Sequence, residues 1–278
     1  MESAIRTLLN HKLNITLIEL NKIAKISERV CYYTEQFEQN DEWKHALMNA
    51  HMVLFVAHSQ GCPTSVILAK ELHEKNLLDP KKHQVNFLLF AGVNMGPDER
   101  CRKYPLDEAG EELFEFQDYW KPIAQQYRKA TEFWLENGSK IAYSAGINDG
   151  VVPLYSALFT DVEHQSIYRE IYIKDTDNSC EYLKSLVKFF VLCRNNQLHD
   201  HYILGFISDC FNGGFKIEHS DIYSDDDAYI NALRHFFGAN TSNSVWNFSF
   251  ELFFPKTYPK TKWHQWHRFQ KNARDKWI

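Results

Sequence analysis

A single serine lies between an apolar run and a stretch of helical spacing. Residues 52–57 are apolar, and the sequence HSQG at 58–61 follows before the helical pattern begins. A tight turn between a strand and a helix would expose the Ser59 hydroxyl beside the unpaired N–H groups and positive end of the helix. Small residues, here Ala57 and Gly61, let the strand and the helix approach closely. This arrangement suits a serine that attacks an electrophile, although serine and glycine are also ordinary residues of structural turns.

The elements that would position Ser59 alternate between strands and helices. Short apolar runs predict five strands, at residues 14–20, 52–57, 85–92, 140–146 and 166–173. Apolar residues at helical spacing predict helices over 26–50, with a break at Asn40 and Asp41, over 63–75, and over 118–136, closed by Gly138. Strands that are apolar on both faces and separated by helices predict an α/β fold, with a mostly parallel sheet and helices on both faces.

The composition describes a globular chain without a general electrostatic partner. Of the 278 residues, 44% are hydrophobic and 15% are aromatic, which is ample for a packed core. The net charge of -5 and the pI of about 6.2 exclude a general attraction to nucleic acid or to an anionic membrane. Any partner must therefore be recognised at a local site.

The sequence shows no targeting segment. Residues 1–20 lack the uninterrupted apolar run of a signal peptide, and no run approaches the roughly 20 apolar residues that span a bilayer. We therefore expect an intracellular, cytoplasmic protein in which the glycosylation sequons at Asn14, Asn240 and Asn247 are unused. The six cysteines are widely scattered and form no CxxC motif, which favours free thiols over a disulfide framework.

Several segments together resemble the α/β-hydrolase superfamily and, within it, a group of fungal serine-hydrolase-like proteins. They lie between residues 14 and 237 and read VAHSQG, FAGVNMGP, ELFEFQ, YSAGINDGVVPLYSALF, HDHYILGF and EHSDIYSDDDAYINAL. The resemblance implies an α/β-hydrolase fold with a nucleophile, an acid and a histidine in that chain order. It also implies that Ser59 is the nucleophile, in an elbow made with Ala57, His58 and Gly61. The Gln60 N–H would then be one donor of the oxyanion hole.

Asp149 is the candidate acid. It follows the fourth predicted strand, and loops at the carboxyl ends of parallel strands share one edge of the sheet, where Ser59 is also expected. The Asn-Asp-Gly residues at 148–150 are equally suited to a plain turn, but the resemblance and the following Val-Val-Pro favour the acid. Asp161 and Asp175 are weaker rivals because neither directly follows that strand.

His219 is the candidate base among the seven histidines that follow Asp149. It lies between the run GGFKIE and a helix with acidic residues in its first turn, so a loop would leave its imidazole free to reach Ser59. In the similar sequences a glycine usually precedes this histidine, whereas Glu218 precedes it here. We interpret residues Asp225, Asp226 and Asp227 as acids that match the helix dipole rather than as metal ligands.

Six other histidines fit the role of base less well. They precede the fifth strand, lie within a helix, form an HxH pair without an evident third metal ligand, or belong to the C-terminal tail. In that order they are His164, His235, the pair His199 and His201, and His264 and His267. We therefore expect no metal and no cofactor.

Two segments flank the candidate site and have two interpretations each. Residues 174–214 form a helical insertion before the histidine and hold two helical runs, which act either as a cap that binds an acyl chain or as plain core helices. Residues 238–278 form a basic, aromatic tail beyond a hydrolase-like domain at 1–237. This tail either contacts a membrane surface, or docks on the domain or is disordered.

The second oxyanion donor is not evident in the sequence. The superfamily usually marks it upstream with His-Gly or a run of glycines, whereas this chain has no His-Gly pair and its single Gly-Gly pair lies downstream, at 213–214. Since 58 residues precede Ser59, the resemblance implies a sheet without its first strands. Two functions therefore remain open. One is a serine hydrolase, esterase or lipase-like, that cleaves a small-molecule or lipid ester of an apolar acyl group. The other is a catalytically weak or inactive hydrolase-fold protein with a binding role.

Overall fold

The computed structural model describes residues 14–103, 105–174, 180–211 and 219–237. Two helices come first, α1 (Ile26–Gln39) and α2 (Asp41–Met48). Asn40 separates them, and its side chain caps α2 by accepting a hydrogen bond of 3.0 Å from the Trp43 N–H. The predicted break is therefore confirmed.

The remaining elements of the described ranges are strands with one or more helices between and after them. In chain order they are β1 (Met52–His58), α3 (Gly61–Glu74), β2 (Gln84–Phe90), α4 (Glu108–Phe114), α5 (Pro122–Glu136), β3 (Lys140–Gly146), α6 (Leu154–Ala157), β4 (Ile167–Tyr172), α7 (Glu181–Asn195), α8 (Ile203–Phe211) and α9 (Asp226–Phe237). The described part of the chain also holds 3₁₀ turns at Glu99–Lys103, Glu115–Gln117 and Ile222–Ser224.

Within the described ranges, four strands form one parallel sheet in the order β1-β2-β3-β4. His58 at the end of β1 is paired with Phe90 at the end of β2, and Phe90 is paired with Ser144 of β3. The loops that follow the strands therefore leave from one edge of the sheet. This architecture confirms the predicted α/β fold.

The prediction of a strand at residues 14–20 is wrong. This segment has no strand assignment, although Ile15 packs beside the side chains of β1 on one sheet face and Ile18 and Leu20 pack on the other. Its alternating apolar residues are thus partly buried without a backbone ladder, while Leu17 between them is 54% exposed. Alternation reports which side chains are covered, and it cannot report whether a partner strand is within hydrogen-bonding distance.

Helices cover both faces of the sheet, as predicted. One face carries residues such as Phe87 and Tyr143, which pack with residues of α1, α3 and α5 in the main hydrophobic cluster. The opposite face carries Leu88 and Ala142, which pack against α9. The connecting helices α3 and α5 share a face because the strand order advances in one direction.

The two helices of the segment 174–214 contribute to the core. α7 packs against β4, and α8 packs against α6 and α7. Val187 and Val191 of α7 and Leu204 of α8 are buried in the cluster that also holds Ala145 of β3. These contacts favour core helices over a cap. None of the helices in the described ranges is long and apolar enough to cross a bilayer.

Two helix boundaries differ from the sequence prediction for local reasons. α5 begins at Pro122 rather than at residue 118, because proline is well suited to the first helical position, where its missing N–H costs nothing. α3 begins at Gly61, two residues before Pro63, so its first turn lies directly behind Ser59. The predicted end of α5 is confirmed, since Gly138 adopts the left-handed backbone, with φ of +85°, that follows many helix ends.

A buried carboxyl lies inside the sheet on the face covered by α9. Glu170 of β4 is paired in register with Ser144 of β3, whose hydroxyl donates to the Glu170 carboxyl. Burial raises the pKa of Glu170 to about 8, since an ionised carboxylate would lose its hydration there. The carboxyl is therefore protonated in the folded protein at neutral pH.

We expect Glu170→Gln to stabilise the protein more at pH 9 than at pH 4. The raised pKa means that the Glu170 proton favours the folded state fully below about pH 4.5, and that this contribution is lost as the pH rises to about 8. Glutamine keeps the acceptor for Ser144 and cannot ionise, so the unfolding midpoint should rise at pH 9 by about 2–4 °C for each kcal/mol recovered. Thermal unfolding measured across this pH range checks the expectation. Glu136→Gln, which makes the same change at an exposed position, is the control. An equal gain at both pH values would contradict it.

Candidate active site

Ser59 occupies a strained turn between β1 and α3. Its φ is 57°, in the left-handed region that a residue with a Cβ adopts at a cost of roughly 1–2 kcal/mol. The turn spans two residues, Ser59 and Gln60, and it is anchored by the Ser59 N–H, which donates to the Phe90 carbonyl at 2.9 Å. A sharp, strained connection of this kind is the geometry of a nucleophile elbow.

The small residues on either side of the turn lie close together. A Cβ added at Gly61 would stand 3.6 Å from the Ala57 Cβ, which is an ordinary van der Waals contact. Ala57 stands where the usual motif has glycine, and the strand and the helix accommodate its methyl group. The predicted proximity of Ala57 and Gly61 is therefore present.

Gln60 directly precedes α3 and leaves its N–H without an acceptor in the described part of the chain. Its carbonyl accepts the Thr64 hydroxyl at 2.8 Å, and the helix behind it runs for 14 residues. The amino end of a helix carries a partial positive charge, so an unpaired N–H at this position can bind an anion. The Gln60 N–H can thus serve as a donor to an oxyanion formed beside Ser59.

Asp149 lies in the loop after β3 and is oriented by the backbone of its own loop. Its Oδ1 accepts hydrogen bonds from the N–H groups of Val151, at 2.8 Å, and Val152, at 3.0 Å. The other oxygen, Oδ2, lies 2.7 Å from His219 Nδ1. Asp149 is 4% exposed and His219 is 9% exposed, so water competes little for this contact.

His219 is also held at its backbone, beside the residue that precedes Ser59. The His219 carbonyl lies 2.8 Å from His58 Nε2, and the two imidazole centres are 4.6 Å apart. The structure therefore brings Asp149 and His219 together at the edge of the sheet where Ser59 lies. Among the described residues, no hydrogen bond joins the Ser59 hydroxyl to His219. His219 thus contacts Asp149, whereas its expected reach to the Ser59 hydroxyl is not seen as a hydrogen bond.

A comparison with family models assigns the chain to a family. The model of the YMC0/YMC35 alpha/beta hydrolase domain matches residues 3–252. The chain belongs to this family. A search of curated proteins and a search of solved structures both gave no match. The match continues beyond the end of α9 at Phe237, and the parallel sheet with helices on both faces agrees with it.

In this YMC0/YMC35 hydrolase domain, the loop after β2 ties the acid loop to the core. The Asn94 side chain donates to the carbonyls of Ser156, at 3.1 Å, and Ala157, at 3.0 Å, in α6. The Asp98 N–H donates to the Val151 carbonyl at 2.8 Å. These bonds fix the backbone that carries Asp149. A side chain can orient an imidazole only if its own backbone is held in place. Sequence reasoning missed this network because it joins residues about 60 positions apart.

The other candidate acids and histidines that the structure describes make contacts away from Ser59, Asp149 and His219. Asp161 forms an ion pair with Arg128, and His164 Nδ1 accepts the Ser166 N–H just before β4, at the opposite edge of the sheet. His235 of α9 stacks on Tyr168, and burial lowers its pKa to about 4. His199 and His201 contact each other, and no group of three or more potential metal ligands forms within the described residues. Asp175, His264 and His267 lie outside the described ranges.

Cys62 lies directly beneath the Ser59 turn but is not itself a candidate nucleophile. Its Sγ lies 3.4 Å from the Phe90 carbonyl and 3.5 Å from that of Ala57. Complete burial raises its pKa far above the ordinary range, so the thiol stays protonated and unreactive. Five cysteines, Cys31, Cys62, Cys101, Cys180 and Cys193, are free thiols.

Parts of the predicted site and of its surroundings lie outside the described residues. The expectation that an upstream oxyanion donor is missing concerns residues 1–13 among others, which are not described, and the run at 212–218 that precedes His219 is not described either. The basic aromatic tail at 238–278 is also outside the described ranges.

Proposed function

We propose that this protein is a serine hydrolase that cleaves the ester of an apolar acyl group, with Ser59 as nucleophile, His219 as base and Asp149 as orienting acid. The observation that carries the proposal is the buried contact of 2.7 Å between Asp149 Oδ2 and His219 Nδ1, beside a serine strained to φ of 57°. Family membership supports a hydrolase in general. The ester specificity and the three roles are the proposal.

The reaction begins with attack by Ser59 on the ester carbonyl. As the Oγ–C bond forms, the hydroxyl proton moves to His219 Nε2, and the Asp149 carboxylate stabilises the imidazolium through Nδ1–H. The carbonyl oxygen becomes an oxyanion that the Gln60 N–H can bind. His219 then returns the proton to the leaving alcohol, and water repeats the sequence to release the acid and regenerate Ser59.

The Ser59 hydroxyl must turn toward His219 for this first step. Catalytic hydrogen bonds are often long or misaligned without substrate and tighten in the complex, so the absent bond is compatible with the mechanism. Ser59 directly follows β1, and the His219 carbonyl is bound to His58 of the same strand, so both residues are held at one edge of the sheet.

We place the apolar acyl group against the exposed surface near the acid loop. α8 packs against α6, which follows Asp149, and it presents Phe206, 77% exposed, near Tyr202, 61% exposed. Exposed aromatic side chains of this size bind apolar chains more readily than charged ones.

A fluorophosphonate probe tests the nucleophile. The probe reacts when a serine hydroxyl is activated: the Oγ–P bond forms, fluoride leaves, and the serine proton passes to the base. We expect the native protein to be labelled on the peptide that contains Ser59, as identified by mass spectrometry, and the heat-denatured protein to remain unlabelled. A native protein that is not labelled would instead favour an inactive hydrolase-fold protein with a binding role.

A series of p-nitrophenyl esters tests the acyl preference. We expect kcat/KM to rise from the acetate toward the octanoate, because each buried methylene contributes about 0.8 kcal/mol, which is roughly a fourfold change. Steady-state rates across the series give the slope, and the spontaneous hydrolysis of each ester is the control. A flat or falling series would contradict the acyl preference and leave the hydrolase assignment standing.

A further inference from the structure

His58 directly precedes Ser59 and packs against the candidate base. Its Nε2 lies 2.8 Å from the His219 carbonyl, and the centres of the two rings are 4.6 Å apart, with their planes tilted by 47°. Its ring also lies 4.8 Å from the ring of Tyr223, in the 3₁₀ turn that follows His219. One side chain of the nucleophile strand therefore contacts both the candidate base and the turn behind it.

The hydrogen bond fixes the tautomer of His58. A carbonyl oxygen can only accept, so Nε2 must carry the hydrogen, and in the neutral ring Nδ1 is then unprotonated. Burial lowers the pKa of His58, which favours this neutral form. A neutral His58 places no positive charge beside the imidazolium that His219 becomes during attack.

His219 needs an anchor at its backbone as well as at its ring. The contact with Asp149 fixes the direction of Nδ1, but a ring bound at one atom can still tilt if its backbone moves. The bond from His58 joins the His219 backbone to the strand that carries Ser59, across 161 positions of sequence. Ile222, buried in the core, and the ion pair between Lys174 and Asp221 hold the turn that follows.

We infer that His58 is a positioning residue: by donating from Nε2 to the His219 carbonyl, it keeps His219 Nε2 within reach of the Ser59 hydroxyl. The inference rests on the proposed function, since it assumes that His219 takes the proton of Ser59. His58 does not touch the reacting atoms in this scheme. It acts by setting the separation of two groups that do.

Two substitutions distinguish the effect of the His58 hydrogen bond from the effect of its ring packing. His58→Phe keeps an aromatic ring against Tyr223 and His219 but removes the donor, whereas His58→Gln places an amide N–H near the position of Nε2 and removes the ring. His73→Phe is the matched control, because His73 Nδ1 also binds a backbone carbonyl, that of Leu78 at 2.9 Å, and its ring lies 4.8 Å from Phe133. His73 is near the far end of α3, about 18 Å from the Ser59 turn at 1.5 Å per residue.

The test is the kinetics of labelling by a fluorophosphonate probe. We expect His58→Phe to lower the inactivation rate constant about 10²-fold, as a misplacement of about 1 Å does, with the probe's binding constant unchanged. His58→Gln should restore most of the rate, and His73→Phe should label as the wild type does. Circular dichroism verifies folding, and His58→Asn, whose amide is too short to reach the carbonyl, replaces His58→Phe if that variant does not fold.

The outcomes distinguish this inference from the proposed function. Wild-type protein that is not labelled would overturn both. Labelling of the wild type together with an unchanged rate in folded His58→Phe would overturn the positioning role alone. A folded His58→Gln that is as slow as His58→Phe would also overturn it, because the donor would then not be what matters.

Discussion

Replacing Ser59 by alanine should abolish fluorophosphonate labelling and lower ester cleavage by about 10⁶-fold in kcat. The alanine methyl cannot attack, and no neighbouring group described in the structure can take over. Cys62, the nearest thiol along the chain, is buried and protonated and contacts the Phe90 carbonyl. The remaining rate would come from binding and from the Gln60 N–H.

The same variant should leave the free energy of unfolding nearly unchanged. Alanine and serine both carry a Cβ, so both pay a similar cost at φ of 57°. Glycine does not, and Ser59→Gly should therefore be more stable than Ser59→Ala by roughly 1 kcal/mol while being equally inactive. Chemical denaturation of the two variants and the wild type measures this difference.

Two results would contradict this account of Ser59. Labelling that persists in Ser59→Ala would place the nucleophile elsewhere. A glycine variant less stable than the alanine variant would mean that the turn does not hold the strain that a nucleophile elbow requires. The two results concern different quantities, so the catalytic role and the backbone geometry are tested separately.

The fold was largely predictable because buried strands and helix boundaries leave local signals. β1 and β3 were predicted from short apolar runs, and the break between α1 and α2 from Asn40 and Asp41, because strand burial and helix capping depend on adjacent residues. The prediction of a strand at 14–20 is wrong although the apolar residues there do alternate. A strand also needs hydrogen bonds to a partner strand, and this segment has none. Pairing of this kind is a property of the whole sheet.

The candidate site was predictable where its residues follow strands. Ser59 follows β1 and Asp149 follows β3, and parallel strands bring such positions to one edge. His219 follows no described strand, and only its loop context and the resemblance distinguish it among the seven histidines that follow Asp149. The 2.7 Å contact with Asp149 is the geometric support that the sequence could not supply.

The contacts of His58 and Glu170 were not predictable from the sequence. His58 was recognised as an elbow residue because it adjoins Ser59, but its bond to His219 spans 161 positions. Glu170 reads as an ordinary polar residue in a strand, and its raised pKa follows from burial on the face covered by α9. The sequence signal for such a contact is the position of His58 beside Ser59, the candidate nucleophile.

Replacing Asp149 by asparagine should lower kcat by about 10⁴-fold and leave the fold intact. The two ends of the carboxylate have different tasks. Oδ1 accepts from the N–H groups of Val151 and Val152, and an asparagine oxygen can do the same. The amide nitrogen must then face His219 Nδ1, because the opposite orientation would set it against two N–H donors.

The loss of activity follows from the tautomer that this orientation imposes. An NH₂ group facing Nδ1 makes that nitrogen an acceptor, so the hydrogen of neutral His219 moves to Nε2, which then cannot take the Ser59 proton. Steady-state kinetics should show the fall in kcat with little change in KM, and thermal unfolding should show a small shift because the loop keeps both backbone bonds. Asp161→Asn, which disrupts the surface pair with Arg128, is the control and should keep its activity. Undiminished activity in Asp149→Asn would transfer the acid role to Asp161 or Asp175, and a loss of activity in Asp161→Asn would decide for Asp161.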